Sequence, residues 1–204
     1  MSALLLIHGG LWEDMDADRF WHRPGIVTAL RDRGVDAIAP DRPRHPSSWA
    51  AEVDQLAASL PDRPVTVLGA SNSCTVAVRL AMNHPERVAR LVLAWPATAG
   101  DQAVDARFRA WLTGRGASAE VVDGLLAGET LRGVADEELA GLTVPVGVLP
   151  SAPENSFHRR ATVDALLRLI PQAVELPGCP EPPRPEFPPH LDKLAATLAE
   201  FGRG

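Results

Sequence analysis

Gly69-Ala70-Ser71-Asn72-Ser73 constrains this chain more than any other stretch, because of what flanks it. Before it, Val65-Thr66-Val67-Leu68 is a short β-branched and apolar segment behind Pro64 that reads as a buried strand. After it, Val76, Ala77, Leu80 and Ala81 recur at helical spacing, and the helix stops at Asn83-His84-Pro85. Strand, sharp turn with a central Ser, then helix is the context in which G-x-S-x-G becomes a nucleophile elbow. Such a turn lifts the Ser71 hydroxyl above the sheet edge, and the helix start offers N–H donors to a developing oxyanion. Position five is Ser73 rather than Gly, still a small residue where the helix must pass close to the strand.

Composition narrows the class. At 204 residues the chain is expected to form one domain, 1–204, with a core large enough to stand alone. Twenty basic against 26 acidic residues give a net charge of −6, without the basic excess of a nucleic-acid binder. No apolar run approaches the roughly 18 residues of a membrane span. The start lacks the basic n-region and small-residue cleavage site of a secretory signal. With only Cys74 and Cys179, a disulfide framework is not expected and a reducing cytoplasm is the default. No metal-ligand spacing and no G-x-G-x-x-G occur, so neither a metal nor a cofactor is expected. The expected partner is a small-molecule substrate rather than nucleic acid or membrane, with monomer and homodimer both open.

Ala3-Leu4-Leu5-Leu6-Ile7 is an apolar run ending in His8-Gly9-Gly10-Leu11-Trp12. With this start, the chain resembles the α/β-hydrolase superfamily over most of its length. A first strand followed by His-Gly-Gly is how many members begin their oxyanion loop. Pro40-Asp41-Arg42-Pro43-Arg44-His45 resembles the loop after the next strand, and Asn83-His84-Pro85-Glu86-Arg87-Val88 the exit from the nucleophile helix. Val144-Pro145-Val146-Gly147-Val148-Leu149 is similar to the strand that delivers the triad acid. The order is correct throughout. The implied fold is α/β: a mainly parallel sheet of about six strands flanked by helices, trimmed of the first antiparallel strands.

Strands are expected near 3–7, 35–39, 64–69, 88–95, 143–149 and 173–176, with helices near 25–33, 47–60, 72–83, 160–170 and 190–201. Residues 97–142 interrupt this alternation with two apolar sets, one around Phe108, Trp111 and Leu112 and one around Val121 to Leu126. The resemblance implies a small helical cap there; simple packing helices give the same pattern. Seven prolines between Pro177 and Pro189 read as a stiff loop that cannot join a sheet interior.

Acyl transfer by Ser71 needs a base, an acid to orient it and oxyanion donors. The donors expected are the N–H groups of Asn72 and of Gly10 or Leu11, and Trp12, Trp95 and Trp111 are candidates for an apolar pocket wall. By the resemblance, Glu154 is the acid candidate past the strand ending at Leu149, with Asp101 the alternative. The base belongs in a loop after the last strand, typically as Pro-Gly-x-Gly-His. Here that segment reads Leu176-Pro177-Gly178-Cys179-Pro180-Glu181, placing Glu181 in the His column. His190 is the only later His and sits at the start of the C-terminal helix, which disfavours it. His45 and His158 lie on loops at the same sheet edge, an unusual direction of approach. The expectation is therefore that no His nitrogen reaches the Ser71 hydroxyl and that Glu181 lies nearer than His190. Three functions stay open: a serine hydrolase of a small ester, thioester or lactone; a non-hydrolytic lyase, isomerase or cyclase on this fold; and a noncatalytic binding protein.

Overall fold

The structure, a computed structural model, describes residues 2–204. Among them six strands form one sheet, all neighbours parallel, in the order β2-β1-β3-β4-β5-β6. The strands are β1 (Ala3–Ile7), β2 (Asp36–Ile38), β3 (Val65–Ala70), β4 (Val88–Ala94), β5 (Val146–Leu149) and β6 (Ala173–Glu175). Parallel neighbours need crossovers, and the helices that supply them cover both faces. This explains why β1 and β3 are buried at every position instead of alternating.

Alternate residues feed two cores. Leu5, Ile7, Val67, Leu91, Leu93 and Val148 face one side, where α2 (Trp49–Ala57), α3 (Ser73–Asn83) and α7 (Arg160–Leu169) pack. Leu4, Leu6, Leu68, Val92 and Leu149 face the other, against α1 (Ile26–Arg31) and α8 (Leu191–Arg203). Residues 97–142 carry α4 (Gln102–Gly114), α5 (Ala119–Leu126) and α6 (Asp136–Ala140). Side-chain caps start three of the helices: Ser48 accepts from Ala51 N–H, Asp101 from Ala103 and Val104 N–H, and Ser118 from Val121 N–H.

From β1 the chain moves outward to β2, then returns to place β3 on the other flank of β1. In an open α/β sheet this reversal leaves a crevice at the carboxyl ends of the two strands, where ligands bind. Ser71 follows β3 and Gly9-Gly10 follow β1, so both stand at that crevice.

No helix among the described residues is long and apolar enough to cross a membrane.

Candidate active site

The β3-to-α3 turn forces Ser71 to φ 56°, a conformation costly for any residue with a side chain. Gly69 makes the turn feasible: a Cβ there would lie 2.3 Å from the Ser73 carbonyl oxygen. Ser71 is partly accessible, and Asn72 occupies the N-cap position of α3 without a side-chain cap bond. The Asn72 N–H is thus at a helix start, where no intrahelical acceptor exists. Ser73, fully buried, donates its hydroxyl to the His8 carbonyl and ties the elbow to the first loop.

That loop is held from beneath. Arg42 is buried and pairs with the buried Glu52, Nε to Oε1 at 2.5 Å, while its Nη1 donates to the carbonyls of His8 and Gly10. Arg42 is therefore not a solvated loop arginine, and sequence spacing does not reveal the carboxylate ten residues on. His8 supports the same loop. Its Nδ1 donates to Gly9 O at 2.8 Å and its Nε2 accepts from Arg42 N–H at 3.2 Å. Burial, then the Arg42 charge, push His8 down to about 4, so the ring is neutral at physiological pH. Between pH 6.5 and 4 the unfolded chain takes up a proton that the folded chain refuses. Stability should therefore fall on acidification across that window, by on the order of 3 kcal/mol. Denaturant titrations of wild type and His8→Gln at pH 7 and pH 4 measure it; equal losses in both proteins would exclude His8 as the cause.

An imidazole stands where none was expected. His158 Nε2 lies 3.0 Å from Ser71 Oγ, and His158 Nδ1 lies 2.5 Å from Glu181 Oε1. The expectation that no His nitrogen reaches Ser71 is overturned. With the ionised carboxylate on Nδ1, that nitrogen carries the proton and Nε2 is free to accept from the hydroxyl. Burial acts to raise Glu181, but hydrogen bonding and charge from His158, with the Ser151 hydroxyl, hold it down at about 2. Ser151 Oγ donates to Glu181 Oε1 at 2.9 Å and Asn155 Nδ2 to the same oxygen at 3.2 Å. Arg184 forms an ion pair with the other oxygen.

Backbone geometry explains how two loops meet at Ser71. After β5, Asn155 and His158 bridge each other, and Asn155 Oδ1 accepts from Phe157 N–H at 3.0 Å, a tight turn that presents His158. Thr98 N–H then holds the Phe157 carbonyl at 2.7 Å. After β6, the Pro-rich loop runs beside the end of β5, with Ser151 and Cys179 bridged and Trp95 Nε1 donating to Cys179 O at 2.8 Å. Gly178 permits this approach, since a Cβ there would meet Pro150 O at 2.9 Å. Glu181 follows three residues later.

The other candidates lie elsewhere. Glu154 is exposed and accepts from Arg160 N–H at 2.7 Å, which anchors the start of α7. Asp101 caps α4 and pairs with Arg159. His190 ends a short 3₁₀ turn, Pro188–His190, ahead of α8 and does not line the site. His45 stacks on Trp12 with ring centroids 4.6 Å apart, and Trp12 donates to Pro46 O, so neither ring faces Ser71. Trp12 thus leaves the expected pocket wall: its φ of 56° turns it away from the cavity.

A cavity of about 400 Å³ opens above Ser71. Gly9, Gly10 and Asn72 form its floor, and Trp95, Phe108 and Trp111 are among the apolar walls. Leu11 is buried, and its carbonyl accepts from Trp111 Nε1 at 3.2 Å. The sequence reading missed Phe20 and Phe157 as wall residues, together with Ser151 and Asn155. The available signal was Asn155-x-x-His158 in the loop after β5, close to the elbow by topology. Among the described residues no group of three or more His, Cys, Asp or Glu is placed to hold a metal ion.

No family model matches the chain, and no curated protein matches it in sequence. Solved structures do match. A variant of the meta-cleavage product hydrolase CumD from Pseudomonas fluorescens IP01 superposes with TM-score 0.71 at 19% identity, covering 100% of this chain and 91% of that one. NosK from Streptomyces actuosus gives TM-score 0.70 at 18% identity, covering 100% and 99%. An extracellular α/β-hydrolase from a Paenibacillus species gives 0.68 at 15%, covering 100% of both chains. Strand order, elbow and these superpositions agree: this chain has the α/β-hydrolase fold.

Proposed function

We propose that the protein is a serine hydrolase of small esters, thioesters or lactones, with Ser71 as nucleophile, His158 as base and Glu181 as acid. The observation that carries this reading is the continuous contact from Ser71 Oγ through the imidazole to the Glu181 carboxylate. His158 Nε2 takes the hydroxyl proton as Oγ attacks the carbonyl carbon, and Glu181 stabilises the resulting imidazolium. The oxyanion is met by the N–H of Asn72 and by one from Gly10 or Leu11. His158 returns the proton to the leaving oxygen or sulfur, and water then releases the acyl group by the same steps reversed.

Relative to the resemblance, base and acid have exchanged loops. Glu181 stands in the usual His column, and His158 follows the strand that usually delivers the acid. The lyase, isomerase or cyclase alternative rested on a missing base, and the imidazole at Ser71 removes that ground. Residues 97–142 act in this reading as a cap, since α4 contributes Phe108 and Trp111 to the cavity. Cytoplasmic residence belongs to the same reading, supported by two cysteines that are both free.

A fluorophosphonate probe should label wild-type protein at Ser71 and leave Ser71→Ala unlabelled. Labelling that persists in Ser71→Ala, or none in wild type, rejects the reading.

A further inference from the structure

The cavity wall is apolar around Met15, Phe20, Trp95, Phe108, Trp111 and Phe157, yet three charged side chains outside the proposed triad also reach it: Glu13, Arg107 and Arg184. One of the two cations is already engaged. Arg184 is paired with Glu181. Glu13 sits beside the oxyanion loop, its carboxylate 3.5 Å from where a Gly10 Cβ would stand.

Arg107 is different. Its neighbours on or near α4 all have partners: Arg109 pairs with Asp123, Arg132 with Asp105, Arg159 with Asp101, and Arg115 lies over the Trp111 ring at 3.0 Å. Arg107 has no hydrogen bond or ion pair to any described residue. It lies one turn before Trp111, on the exposed flank of the buried stripe Val104, Phe108 and Leu112, where α4 borders the cavity. A guanidinium at the rim of an apolar cavity, without a partner in the protein, is arranged for a ligand anion.

We infer that the site takes a carboxylate-bearing substrate, an aryl or alkyl acyl compound whose carboxylate pairs with Arg107 while its apolar body lies against Phe108, Trp111 and Phe157. A monoanion fits better than a phosphate dianion, because one unpaired cation is available and Glu13 adds a negative charge to the same cavity. The position of the reacting carbonyl rests on the hydrolase reading above; the ion pair does not.

The test compares phenylacetate with phenylacetone, its neutral isostere, by calorimetric titration of the whole protein. Phenylacetate should bind about tenfold more tightly at low salt, as expected for one partly exposed charge-assisted pair, and the advantage should shrink as salt is added. Arg107→Met should abolish the advantage and leave phenylacetone binding unchanged; Arg107 is exposed, so the fold is retained. Equal binding of the two ligands, binding of neither, or a preference that survives Arg107→Met overturns the inference. Turnover of p-nitrophenyl acetate and of mono-p-nitrophenyl glutarate separates the two readings. Loss of both turnovers with the phenylacetate preference intact rejects the hydrolase and keeps the anion site.

Discussion

His158→Ala is expected to lower ester turnover by about 10³-fold or more, whereas His190→Ala and Glu154→Gln stay within about twofold of wild type. The contrast separates two ways of assigning a base on this fold. By position in the chain, His190 is the base because it is the only His after the last strand. By geometry it is His158, 3.0 Å from the hydroxyl and seated on Glu181. Glu181→Gln should keep the imidazole in place but remove the charge that stabilises imidazolium, lowering kcat by about 10²- to 10⁴-fold. A His190→Ala loss as deep as that of His158→Ala, measured on folded protein, would sink the assignment. Measuring kcat and KM separately matters, because loss of the base should appear in kcat.

Much of the fold was legible because its signals are local. The β1 run, the elbow with its strand and helix, and the apolar spacing in α7 and α8 each report short-range periodicity, and their order implies crossovers. The elbow's small residues were legible for the same reason, since Gly69 is demanded by a contact with Ser73 four residues away. What escaped depends on contacts between loops. Nothing within Pro153-Glu154-Asn155-Ser156-Phe157-His158 distinguishes Glu154 from His158 as the residue that faces Ser71. That choice is made by Thr98 gripping Phe157 and by Cys179 running beside Ser151, contacts between segments dozens of residues apart. Glu181 was visible as an anomaly in its column, but its partner lay in another loop. Trp12 misled for a related reason: its left-handed backbone turns the ring onto His45.

The second large effect concerns stability. Arg42→Met should cost about 3–5 kcal/mol, because it leaves the Glu52 carboxylate buried without a counter-charge and frees the carbonyls of His8 and Gly10. Replacing both members, as Arg42→Met with Glu52→Leu, should recover a substantial part of that loss, since no lone charge is then buried. Chemical denaturation of the two variants reads both values. A cost below about 1 kcal/mol for Arg42→Met alone contradicts the buried-pair account. The double variant carries a further expectation: with the fold regained but the first loop untethered, stability and turnover should part company.

The exchange of imidazole and carboxylate between the β5 and β6 loops bears on how such enzymes are found. The two strands are neighbours, their loops leave the same edge, and the two side chains bond to each other. The pair can therefore be transposed without moving a strand. Chain order of base and acid is then a record of descent, whereas the chemistry depends only on which ring nitrogen faces the elbow. A search that demands histidine in the final loop discards a chain built this way. A spatial query for an imidazole beside an elbow serine, blind to order, retrieves it.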